Sequence, residues 1–178
     1  MCKMVFIGTV EKLEEIPFYK IQIENIDGEY LTIADKFVNP HIYFAGTSRG
    51  CSCDFNIEKG INPHNVSELE LEQKVRQEKS ILTPIRKLLR NHDNYISSKI
   101  ESNKRLIHQE RSYYDQTLEL IKIITANTTD HNTTELYCCW AGEYEQPIDI
   151  NKIVNLNKIN LLDFFEIELK EKILFMRQ

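Results

Sequence analysis

The chain has 178 residues, 22 Lys and Arg against 27 Asp and Glu, and is 42% hydrophobic with a net charge of −5. That length can bury a core without disulfide or metal support, and eight tyrosines with eight phenylalanines argue against disorder. No stretch approaches the roughly 18 to 20 apolar residues of a membrane helix, and the opening residues lack a secretion signal's apolar core, so a cytoplasmic location without membrane contact is expected.

The first 58 residues are rich in strand signals. Met4-Val5-Phe6-Ile7, stopped by Gly8, is the short apolar run of a buried strand. Tyr19 to Glu24 alternates, and the turn Asn25-Ile26-Asp27-Gly28 predicts a hairpin returning through Tyr30-Leu31-Thr32-Ile33. After Pro40, His41 to Ala45 predicts another buried strand, and Gly50 to Phe55 a further one.

Residues 66–126 change to a helical pattern. Ser67 and Glu70 form a capping box for a helix reaching about Leu82, and Thr83-Pro84 supplies the start of the next. Ile85, Leu89, His92, Ile96, Ile100, Asn103, Ile107, Tyr114, Leu118, Ile121 and Thr125 make one apolar stripe, which thins between Asn91 and Asn103. A break is expected near Asn91 to Asn94 or at Ser97-Ser98, with a better helix from about Ser102 to Ala126.

From residue 135 to 178 the strand signals return. Glu135 to Trp140 predicts a buried strand, Ile150 to Asn160 is ambiguous, and Phe164 to Leu169 followed by Lys172 to Arg177 predicts a terminal hairpin turning at Lys170-Glu171. The expected fold is therefore α+β in a single domain, residues 1–178: a mainly antiparallel or mixed sheet built from both ends of the chain, with the helical middle packed on one face.

The five cysteines are the most pointed chemical feature. Cys2, Cys51, Cys53, Cys138 and Cys139 all abut predicted strands, and an odd count in a reducing compartment predicts free thiols or metal ligands rather than disulfides. In an extended chain Cys51 and Cys53 project to one side with α-carbons about 6.6 Å apart, whereas Cys138 and Cys139 point to opposite faces. If the strand at Met4 pairs near the strand carrying Cys139, then Cys2, Cys51, Cys53 and Cys139 form a candidate metal set of four thiolates, the number a tetrahedral zinc requires. An iron–sulfur cluster needs the same number. The plain alternative is that these cysteines serve as small hydrophobes in the core.

The opening Met1-Cys2, the stretch His41-Ile42-Tyr43-Phe44-Ala45-Gly46 with Gly50-Cys51-Ser52-Cys53-Asp54-Phe55, and Glu135-Leu136-Tyr137-Cys138-Cys139-Trp140-Ala141-Gly142 together resemble a group of small uncharacterised bacterial proteins. The resemblance covers roughly the first and last thirds. It implies that Cys2, Cys51, Cys53 and Cys139 hold motif positions and that Cys138 is the extra thiol, and it implies no activity. Ser52 and Asp54 stand where that group carries glycines, and the long helical middle is a further departure.

No catalytic residue is assigned by the remaining motifs. Walker, dinucleotide, zincin and hydrolase signatures are missing from the sequence, and the histidines are scattered, with His41 nearest the thiol cluster as a ligand or base. Between Lys74 and Arg111 ten basic residues face four acidic ones, leaving twelve against twenty-three elsewhere. This basic helical face supports a second functional class, a binding or regulatory module for an acidic partner or a second copy of the chain, with nucleic acid the less favoured partner because few aromatics interleave.

Overall fold

The apolar runs at the two ends of the chain form the centre of one sheet. The computed structural model describes residues 2–13, 21–47, 52, 55, 62–70, 72–73, 92–162 and 165–178. Among these, β1 (Lys3–Thr9), β2 (Ile21–Asn25), β3 (His41–Thr47), β4 (Thr134–Trp140), β5 (Ile150–Asn155) and β6 (Glu171–Met176) pair in the order β2-β3-β1-β4-β6-β5. Every pairing is antiparallel except β5 with β6, so the sheet is mixed and the fold is α+β.

The chain divides into two units, one of Met1–Gly60 with Tyr113–Gln178, the other Ile61–Ser112. In the first, alternation along the central strands sends side chains into two separate apolar layers. Val5, Ile7, Tyr43, Leu136, Cys138, Ile173 and Phe175 pack with Leu120, Ile121 and Ile124 from the end of the helix α1 (His92–Asn127). Met4, Phe6, Phe44, Tyr137 and Cys139 face the other way, under Ile33, Tyr144 and the partly buried rings of Tyr30 and Phe37. No helix among the described residues is long and apolar enough to cross a membrane.

Three expected elements are replaced. Gly28 does turn the chain with a positive φ of 50°, but Gly28–Lys36 then winds into a 3₁₀ helix instead of a return strand. Three residues per turn put Tyr30 and Ile33 on one side, toward the aromatic layer, and leave Leu31 58% exposed. The terminal hairpin is also absent among the described residues, because both edges of β6 are taken, by β4 and by the parallel β5. Phe165 and Ile167 are buried in the layer beneath α1, and Lys170 turns at φ 58° while its amide donates to the Cys138 carbonyl at 2.7 Å. Finally, Gly8 does not stop β1: it lies within the strand, where a Cβ would stand 2.4 Å from the Phe37 ring.

The second unit contains the capping box. The Glu70 amide donates to Ser67 Oγ at 3.1 Å, and the Ser67 amide to Glu70 Oε2 at 3.4 Å. α1 runs through Ser97-Ser98 unbroken. The helix to Leu82, the start at Thr83-Pro84, the break at Asn91 itself and most of the strand at Gly50 to Phe55 lie outside the described residues.

Candidate functional site

Register places the thiols. Met4 lies opposite Cys139 and Val5 opposite Cys138, so Cys139 shares the aromatic face with Met4 while Cys138 lies on the α1 face. The Ala141 amide donates to the Cys2 carbonyl at 2.9 Å, which continues the register by one step beyond the ladder. Cys2, two residues before Met4, therefore sits on the same face as Cys139 and diagonal to it, an arrangement with a typical α-carbon separation of about 7 to 8 Å. Cys2 is exposed, whereas Cys138 and Cys139 are fully buried, and none of the three is in a disulfide.

Ser52 reaches the same end of the sheet from the opposite side of β1. Its amide donates to the Lys3 carbonyl at 3.0 Å, and its Oγ accepts from the Val5 amide at 2.9 Å while donating to the Ala45 carbonyl. Val5 and Ala45 are register partners. The hydroxyl is thus inserted between two strand backbones and satisfies a donor and an acceptor that water cannot reach, Ser52 being 1% exposed. Cys51 and Cys53, its neighbours in sequence, lie outside the described residues. Among the described residues no three His, Cys, Asp or Glu side chains group around a metal-sized space. His41 pairs with Thr9, at the far end of β1 from Cys2, so it does not join this site.

Electrostatics at Cys139 follow from its cover. Burial pushes its pKa up to about 12, with Lys36 opposing and Glu143 adding to the shift. Burial likewise raises Tyr137 to about 12, aided by the nearby Cys139 and Cys138. Lys36 Nζ donates to the Gln146 carbonyl at 2.6 Å and lies 5.4 Å from the Tyr137 ring centre, tying the 3₁₀ helix to the loop after β4. As a free group, the Cys139 thiol is protonated at neutral pH and is a poor nucleophile.

A buried carboxylate that sequence reading did not single out lies at the other end of β4. Glu135 Oε2 accepts from the amides of Val38 and Asn39 at 2.9 and 2.7 Å, and Lys172 Nζ stands 2.7 Å from Oε1. Asn39 Nδ2 donates to the carbonyls of Gly8 and Thr133. The amide contacts and the Asn39 side chain tie the loop before β3 to β4, to Gly8 of β1 and to Thr133, while Lys172 joins β6 to β4, so the group is structural. Its sequence signal was an acidic residue starting an apolar strand, which is indistinguishable from a solvated strand end.

The described part of the basic segment is engaged within its own unit. Lys104 lies 2.7 Å from Glu72, and that hydrogen bond raises its pKa. Arg111 donates to the carbonyls of Pro63 and Val66, and Arg105 meets Glu101 at 3.5 Å. Residues 74–91 lie outside the described residues. Compared with known proteins, the chain matches no family model, no curated protein and no solved structure.

Proposed function

We propose that the end of the sheet where β1 begins and β4 finishes is a thiolate site that takes zinc in a reducing cytosolic compartment, with Cys2, Cys51, Cys53 and Cys139 as ligands. The observation that carries this reading is the seat of Ser52: the residue between Cys51 and Cys53 is bonded to Lys3 and Val5, which flank Met4, the register partner of Cys139. Four thiolates around one zinc form a closed, structural site rather than one with an open catalytic position. Coordination deprotonates a thiol outright, so zinc supplies what the apolar surroundings of Cys139 oppose. Elemental analysis of protein purified under reducing conditions tests this. About one zinc per chain is expected, falling sharply in Cys51→Ser with Cys53→Ser. Wild-type protein holding neither zinc nor iron at a meaningful fraction of one per chain would remove the reading.

One observation favours a second reading. Cys138 and Cys139 are both fully buried in apolar layers, as core cysteines are. The protein is then a binding module whose basic segment meets an acidic partner, and charge reversal at Arg86, Lys87 and Arg90 abolishes capture of that partner while wild-type protein carries no metal.

A further inference from the structure

We infer that the cavity between the last turns of α1 and residues 156–162 binds a small anionic amphiphile, an apolar body carrying a carboxylate head. This site is independent of the thiol reading: it lies toward the end of β6 that pairs with Thr134, where β4 begins, whereas Cys139 lies near the end of β4.

The cavity has a volume of about 930 Å³, within the range of small-molecule sites. Leu118 and Ile121 of α1 form one wall and Leu156 and Leu161 the other. Ile159 and Leu162, also in the lining, are 50% and 51% exposed. An apolar body covering them removes that surface from water, and this supplies affinity without direction.

Direction comes from charge. Lys122, Lys158 and Arg177 line the cavity, and no acidic side chain does so among the described residues, on a chain whose net charge is −5. Lys122 is matched by Glu119 at 2.8 Å, so Lys158 and Arg177 supply the excess. Arg177 Nε donates to the Thr128 carbonyl at 2.8 Å, just past the end of α1. That bond uses one of three guanidinium nitrogens and fixes the planar group in place. A carboxylate suits a held guanidinium because two parallel N–H bonds can be made at once, whereas an alcohol offers one oxygen and no charge.

Methyl-detected NMR titration of the full chain with decanoate, decanol and acetate tests the inference, with calorimetry for affinity. Decanoate is expected to shift the methyls of Leu118, Ile121 and Leu161 saturably, decanol to bind about tenfold more weakly, and acetate to leave them unmoved. Lys158→Gln with Arg177→Gln should bring decanoate down to the affinity of decanol while leaving decanol unchanged. Ala126→Phe, at an exposed position in the lining, should obstruct both ligands and keep the rest of the spectrum. Decanol binding as tightly as decanoate, acetate moving the same methyls, or decanoate leaving all three unmoved would each overturn it.

Discussion

Glu135 shows how much a single buried charge organises here. Its carboxylate is 2% exposed and holds two loop amides and a lysine whose side chain is 16% exposed. Removing it strands Lys172 and leaves two amides without acceptors. Glu135→Ala is therefore expected to destabilise the protein by about 3 to 5 kcal/mol in urea unfolding, and Lys172→Met in the same background should recover part of that loss. An unchanged midpoint would mean that the group is solvated after all. Cys139 and Tyr137 make a second prediction, about alkaline pH. Both have folded pKa values raised to about 12, above those of the unfolded chain, so the unfolded state releases protons first as pH rises. Stability of the metal-free protein should be fully present below about pH 8.5 and fall progressively toward pH 12, with a shallower slope in Cys139→Ala and in Tyr137→Phe. Thermal melts across that window check the sign.

Elements at the centre of the sheet were legible in the amino-acid sequence because their signal is local: the apolar runs at Met4, His41 and Glu135 are β1, β3 and β4, and the opposite facing of Cys138 and Cys139 follows from the strand period alone. Elements set by tertiary context were not. The spacing of Tyr30 and Ile33 fits a 3₁₀ turn as well as alternation fits a strand, and only the aromatic layer decides between them. β5 was ambiguous because it is an edge strand with Val154 as its one buried residue. Along α1 the predicted stripe meets the core only in part: its Ile121 is buried there, but so are Leu120 and Ile124, which it leaves out, while Tyr114 and Leu118 are half-buried and Thr125 is exposed, all three lining the cavity. Buried Gln116 and Thr117 disguised the true seam, Thr117 Oγ satisfying itself on the Tyr113 carbonyl. Ser52 was invisible for a related reason, since a hydroxyl between two cysteines has meaning only once β1 and β3 are paired. Ser52→Ala should leave the Val5 amide and the Ala45 carbonyl without their partner, costing about 1 to 3 kcal/mol in denaturant unfolding. A neutral substitution would show that the strands close directly without it.

On the scale of the whole molecule, β1 lies between β3 and β4, so a strand at the start of the chain is held by one that begins at Thr134. Pairings this distant in sequence pay loop-closure entropy before they return anything, which favours a device that locks the early and late segments together. A zinc ion bound by Cys2, Cys51, Cys53 and Cys139 would be such a device, and chelation is then expected to lower the melting temperature of wild-type protein but not of Cys51→Ser with Cys53→Ser. Equal melting of both proteins, with and without chelator, would separate the metal from the fold.

X-ray absorption at the zinc edge, on protein purified under reducing conditions, puts this to the most direct test. The thiolate site predicts a single shell of about four sulfur scatterers near 2.3 Å. A shell dominated by nitrogen or oxygen, or too little zinc to give an edge in stoichiometric protein, would contradict it.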